Sequence, residues 1–241
     1  MSLLELRNIC MDFGGLRAID SLSLSIDEGQ ILGLIGPNGA GKSTAFNCVA
    51  GVYKPTSGEI WFDGKNITGA KPWDLCRAGL ARTFQIVKPF ASKTVLYNVM
   101  VGAFARTDKT DEAEAIALDV LKSLHLDHKK DFKSGALTIA DRKRLEIARA
   151  MATKPKLLLL DEVMAGLRPT EVDEMIDVFR AVRDSGVTIF VIEHIMCAIM
   201  ALSDELVVIQ FGRKISEGKP EAVAKDENVI KAYLGDEYVA S

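Results

Sequence analysis

The octet "GPNGAGKS", Gly36 to Ser43, restricts the possible folds more than any other stretch. It fits the spacing G-x-x-x-x-G-K-S/T. The apolar run "ILGLIG" leads into it and the helix-forming "STAFNCVA" leads out, so a buried strand must pass into a helix through a glycine loop. Glycine at 36, 39 and 41 lets the backbone turn its N–H groups inward around an anion, where a Cβ would obstruct. Lys42 offers a point charge to outer phosphates and Ser43 a hydroxyl to Mg2+. The helix start adds its positive dipole end. The predicted phosphate cradle is therefore Gly36, Pro37, Asn38, Gly39, Ala40, Gly41, Lys42, Ser43 and Thr44.

Two further runs, "KLLLLD" (156–161) and "VTIFVI" (187–192), share the character of "ILGLIG". Short and continuously apolar, they suit strands buried on both faces of a parallel sheet. "SLSLSID" (21–27) differs: Leu22, Leu24 and Ile26 alternate with serines, as in a half-buried strand. "LLELRNI" and "GEIWFDG" are its expected antiparallel companions, the latter ending on an Asp-Gly turn signal. Between about 86 and 153 the pattern is helical, in "VLYNVMVGAFAR", "DEAEAIALDVLKSLHL" and "DRKRLEIARAMA". The expected class is α/β, with a small antiparallel lobe and a helical block interrupting the sheet. The tail, "PEAVAKDENVIKAYLG", reads as short helices ending at Gly235.

"LLLLDE" places Asp161 and Glu162 at the carboxyl end of a buried strand, beside the predicted phosphate loop. One carboxylate to hold Mg2+ and one facing the γ-phosphate form a minimal apparatus for hydrolysis. Asp161 is assigned the metal and Glu162 the attacking water. Lys42 and Asp161 lie too far apart in sequence for a small GTPase. "VIEHIM" puts His194 at the same edge of the sheet.

The net charge of -3 and pI of about 5.7 show no basic stripe, so nucleic acid is not an expected partner. The run Arg142, Lys143, Arg144 reads as a solvated helix face. No segment reaches the roughly 18 apolar residues of a membrane-spanning helix, and the start of the chain lacks the layout of a secretion signal. Cys10, Cys48, Cys76 and Cys197 lack metal or disulfide spacing and read as small core residues in a reducing cytosol. His125 and His128 find no carboxylate or cysteine set to complete a metal site.

These motifs resemble the ATP-binding cassette (ABC) superfamily, and specifically the nucleotide-binding subunits of bacterial branched-chain amino-acid importers. The likeness covers nearly the whole chain. It rests on "MDFGGLRAIDSLSLSIDEGQILGLIGPNGAGKSTAFNCVAG", "TSGEIWFDGKNITG", "LARTFQIVKPF", "RLEIARAMATKPKLLLLDE" and "FVIEHIM". The resemblance implies one ABC ATPase domain over 1–241, a P-loop NTPase core with a mainly parallel sheet. Residues 1–85 and 154–241 would form the core and the antiparallel lobe, and about 86–153 the helical subdomain. It implies that Phe13 stacks on adenine and that Gln85 touches Mg2+ or the water. Glu162 would be the general base, and His194 would contact the γ-phosphate. Two cassettes would work as a dimer, a homodimer or a pair with a paralogue, bound to integral membrane permease subunits. An extracellular or periplasmic substrate-binding protein would act indirectly, and the chain would lie on the cytoplasmic face of the bacterial inner membrane.

Three features depart from the family pattern. Where the signature that serves the partner's ATP reads LSGGQ, this chain has Leu137, Thr138, Ile139, Ala140 and Asp141. Thr138 keeps a hydroxyl and, with Asp141, has the form of a capping box, so a helix start with free N–H groups is expected. Asp141 brings a negative charge towards an anion, which neighbouring Arg142 could offset. Val163 replaces the proline usual after the catalytic glutamate, and Arg168 stands where Asp or Asn is common. The leading expectation is an ATPase that powers amino-acid uptake. The alternatives are the ATPase of a urea or amide importer or a lipopolysaccharide exporter, or a poorly hydrolysing nucleotide-gated subunit paired with an active paralogue.

Overall fold

A computed structural model of the protein describes residues 2–83 and 88–234. The chain opens as a long hairpin of β1 (Ser2–Phe13) and β2 (Leu16–Asp27), then enters the wholly buried β3 (Ile31–Ile35). Helix α1 (Lys42–Val49) follows the glycine loop, and β4 (Ser57–Phe62) and β5 (Lys65–Asn66) return to the hairpin. Next come α2 (Pro72–Ala78), the short β6 (Leu80–Arg82), and the helices α3 (Val95–Ala103), α4 (Thr110–Ser123) and α5 (Ile139–Met151). The remainder alternates: β7 (Leu157–Asp161), α6 (Pro169–Asp184), β8 (Thr188–Ile192), α7 (Met196–Leu202), β9 (Glu205–Gln210) and β10 (Arg213–Gly218). Two short helices, α8 (Pro220–Val223) and α9 (Glu227–Leu234), close the described part, and the expected stop at Gly235 lies outside it.

One sheet has the order β2-β1-β4-β5 and is antiparallel throughout. The predicted alternation in β2 holds, with Leu22, Leu24 and Ile26 buried. The Asp63–Gly64 turn joins β4 to β5 with both residues at positive φ, as a tight hairpin requires. The second sheet has the order β10-β9-β3-β8-β7-β6, parallel except for the β9–β10 hairpin.

The parallel sheet divides two cores. Leu157 and Leu159 pack towards the antiparallel sheet and α1, whereas Leu158 and Leu160 pack towards the helices on the far side. Leu32, Leu34 and Phe190 share the first core and Ile31, Ile35 and Ile189 the second. Each central strand is therefore apolar on both faces, which accounts for its unbroken apolar run. Phe46 of α1 meets Phe190 with ring centroids 4.6 Å apart and fastens the helix after the glycine loop to the sheet. Burial of a side chain this large contributes about 2–3 kcal/mol.

The helical block leaves the sheet after β6 and returns at β7, so it separates two strands that are direct parallel neighbours. Thr94 caps α3 by accepting from the Tyr97 N–H, and α3 runs close against α5 at Gly102, where a Cβ would strike the Arg149 carbonyl. Two sequence expectations need correction here. Lys143 is buried, not solvated, because α5 turns this face towards Glu193 and Glu162. Cys197 is exposed on α7, while Cys10 and Cys48 are in the core as expected. No helix among the described residues is long and apolar enough to cross a membrane.

Candidate active site

The carboxyl edge of the parallel sheet opens into a cleft of about 460 Å³. Its floor is the glycine loop and the first turn of α1, from Asn38 to Thr44. Glu162 and His194 also line the cleft, as do Phe13, Leu16, Arg17 and Phe211. Gly36 and Pro37 lie behind this surface, and both of their carbonyls accept from Lys42 Nζ, at 2.6 and 2.9 Å. The ammonium is thereby tied to the loop that carries it. Burial lowers the Lys42 pKa, and nearby Glu162 works against that shift.

The glycines serve purposes that the motif alone does not separate. A Cβ on Gly41 would meet the Ala18 carbonyl of β2 at 2.6 Å, and one on Gly36 would strike the carbonyl of Ile209. Gly39 has open space instead, but its φ of +79° lies in the left-handed region. Gly39 is required by its backbone conformation alone, whereas the other two allow strands to approach the loop.

Glu162 and His194 are brought together, with His194 Nε2 2.6 Å from Glu162 Oε1. Glu162 follows the last residue of β7 and adopts φ +50°, a strained conformation for a residue with a side chain, and its N–H donates to the Ile192 carbonyl of β8. Beside them Glu193 is deeply buried, its Oε1 accepts from the Met164 N–H at 2.6 Å, and burial pushes its carboxyl pKa up. This carboxylate ties the segment after Glu162 to the segment that carries His194.

Asp161 is set back from the cleft, and its Oδ2 accepts from Arg82 at 2.9 Å. Its carboxylate and the Ser43 hydroxyl are hard oxygen donors of the kind that hold Mg2+ beside phosphates. These side chains fit that ion, whereas Gln85, the third predicted ligand, lies outside the described residues. Phe13, expected to stack on adenine, lines the cleft and meets Tyr53 edge-on at 5.3 Å.

None of Thr138, Ile139, Ala140 and Asp141 lines this cleft. They start α5 on the helical block, with Thr138 as N-cap accepting from the Asp141 N–H. The Thr138 hydroxyl donates to Asp141 Oδ2 at 2.8 Å, and that same oxygen accepts from Lys129 Nζ at 2.6 Å. Lys129, and not Arg142, therefore offsets the Asp141 charge; Arg142 donates to the Gly135 carbonyl. Ile139 is 62% exposed at the tip. Arg168 bonds Glu171 at the start of α6, and Val163 is buried.

Sequence reasoning missed Arg82, Lys129 and Phe211. Phe211 is 82% exposed, adopts φ +48° and overhangs the cleft, held there because Gly212 bonds the Ala40 carbonyl and accepts from the Asp20 N–H. An exposed, strained aromatic beside an aromatic-lined cleft is the only signal available, and it emerges in three dimensions alone.

Known proteins match this arrangement. Residues 19–165 match the model of the ABC transporter family, and 213–239 that of the branched-chain amino acid ATP-binding cassette transporter. The chain is 38% identical to the high-affinity branched-chain amino acid transport ATP-binding protein BraF of Pseudomonas aeruginosa, over 97% of this chain and 98% of the relative. It is 39% identical to LivG of Salmonella typhimurium, described in the same words, again over 97% and 98%. Among solved structures, MJ1267, an ATP-binding cassette of an ABC transporter in its ADP conformation, superposes with a TM-score of 0.90 at 32% identity, covering 98% of this chain and 100% of that one.

Proposed function

The chain belongs to the ABC transporter family, and from that premise we infer that its cleft binds and hydrolyses ATP to drive import of branched-chain amino acids through a membrane permease. It is an ABC ATPase subunit of an importer. In this reading 1–241 form one cassette, held at the cytoplasmic face of the membrane by its permease, and a second cassette closes each site. A substrate-binding protein delivers the amino acid on the opposite side.

The observation that carries the reading is the Glu162–His194 pair facing a glycine loop and a buried lysine. The backbone N–H groups of Gly39 to Ser43 and the Lys42 ammonium bind the phosphates. Asp161 and Ser43, together with Gln85 as the sequence assigns it, would hold Mg2+, which would supply charge neutralisation to the phosphates. Glu162 takes the proton of the attacking water, and His194 orients the γ-phosphate from the same side. Phe13 and Phe211 hold the base between aromatic faces. Phe211→Ala is expected to weaken ATP binding roughly 5- to 100-fold, the range of base–aromatic stacking. Titration with a fluorescent ATP analogue checks this, and unchanged affinity would remove Phe211 from the base site.

The test of the whole reading is Mg-ATP turnover by the purified chain across a range of protein concentrations. A specific rate that rises with concentration means that two copies assemble and that the segment from Thr138 to Asp141 serves the opposite site. One observation favours a second reading: the Thr138 hydroxyl proton is already committed to Asp141. Bound ATP with negligible turnover at every concentration would select a subunit that needs an active paralogue.

A further inference from the structure

Arg82 ends β6, the three-residue edge strand, in register with Leu159 of β7. From there its guanidinium extends along the sheet to the end of β7. One nitrogen donates to Asp161 Oδ2 at 2.9 Å and another to Asn47 Oδ1 at 2.6 Å. Asn47 belongs to α1, the helix opened by Lys42, so the guanidinium bridges the metal-side carboxylate and the phosphate-loop helix. Both charged side chains are largely withdrawn from solvent, at 16% and 8% exposure. A pair this well buried is held firmly, because removing one partner strands the other charge in a poorly solvating environment. A divalent cation arriving at Asp161 meets a carboxylate whose charge is already matched by a fixed cation nearby. Coulomb repulsion between the two cations then opposes the metal's arrival.

We propose that Arg82 is a positioning residue that competes with Mg2+ for the Asp161 carboxylate, and so sets how strongly nucleotide binding depends on the metal. The inference rests on the assignment of Asp161 to the metal under the proposed function. With no nucleotide bound, Arg82 holds Asp161 in place and keeps its charge balanced. When Mg-nucleotide enters, Arg82 must share or yield Oδ2, and its bond to Asn47 retains it beside α1. A residue that only oriented Asp161 would have the opposite sign, since losing it would weaken metal binding.

The experiment is equilibrium binding of ADP and of a non-hydrolysable ATP analogue to the full chain, over a magnesium titration that starts in EDTA. The quantity read is the ratio of nucleotide affinity in saturating magnesium to affinity in EDTA. Arg82→Met is expected to raise this ratio roughly tenfold, a coupling typical of charged groups in direct contact. Arg82→Lys, which keeps the charge, should stay closer to the unmodified chain. In an Asp161→Asn background the Arg82→Met effect should vanish, because Arg82 acts through that carboxylate. If melting shows that Arg82→Met does not fold, Arg82→Gln retains donor groups without the charge and is read in the same way. An unchanged or lowered ratio, or an effect that persists in the Asp161→Asn background, overturns the proposal. A ratio of one in the unmodified chain would overturn the metal role of Asp161 as well. A ratio above one that the Arg82 variants leave unmoved would overturn only the competition.

Discussion

Glu162→Gln is expected to lower Mg-ATP turnover by about 10²- to 10⁴-fold, the contribution of a general base, while nucleotide still binds. Gln keeps the length and shape of the side chain and can still bond His194 Nε2, so the strained backbone at this position has no new reason to move. What is lost is the ability to take a proton from water. One negative charge also disappears beside the Lys42 ammonium and the phosphate cradle. Nucleotide affinity should therefore hold or rise, and ATP should accumulate in an assembled pair of cassettes. Single-turnover kinetics combined with size-exclusion chromatography in ATP would measure both effects. Turnover within about tenfold of the unmodified chain would remove Glu162 from the base role.

What could be read from the sequence depended on distance along the chain. β3, β7 and β8 were legible because burial on both faces writes itself as consecutive apolar residues. The loop from Gly36 to Ser43 was legible because its constraint is local, a backbone turn and a helix start. β6 was not, since three residues ending in arginine carry no strand pattern, and its arginine finds Asp161 only 79 positions later. β9 and β10 went unremarked for a related reason: β9 is apolar, but nothing chemical marks the hairpin. Lys143 read as surface because a cation within a basic run resembles solvated helix, and its buried neighbour Glu193 arrives from the loop after β8, 50 positions on.

The signature segment shows the same division. Its helix start and Thr138 cap follow from adjacent residues, but the capping box does not close, because Asp141 Oδ2 bonds the Thr138 hydroxyl and Lys129 instead of the Thr138 N–H. The charge balance at Asp141 depends on Lys129, delivered by the short 3-10 turn Asp127–Lys129. That pairing also commits the threonine proton, so the hydroxyl read as a phosphate donor must first rotate away from Asp141. Local patterns disclose which groups are present; which of them are already engaged is decided by packing.

Glycine substitutions should separate the two tasks of the phosphate loop. Gly41→Ala is expected to cost about 2–5 kcal/mol of stability, from a disfavoured φ together with overpacking. The φ at Gly41 is +105°, and its new Cβ would lie 2.6 Å from the Ala18 carbonyl and 3.0 Å from Ile19 Cδ1, both on β2. β2 is held at this point by the bond from the Asp20 N–H to Gly212, whose own N–H reaches Ala40, so neither side can withdraw cheaply. Set against a typical total stability of about 5–15 kcal/mol, such a loss is large. Gly39→Ala meets no atom within 4 Å, so its stability cost is the left-handed backbone penalty of about 1–2 kcal/mol. Because Gly39 lines the cleft, the change is expected to disturb the loop N–H groups that phosphate oxygens would approach. Losing one such charged hydrogen bond weakens binding roughly 10- to 100-fold. Denaturant melts and nucleotide titrations of both variants would read the contrast. Gly41→Ala should lose stability first and Gly39→Ala affinity first, and the reverse order would mean that β2 does not set the shape of the loop.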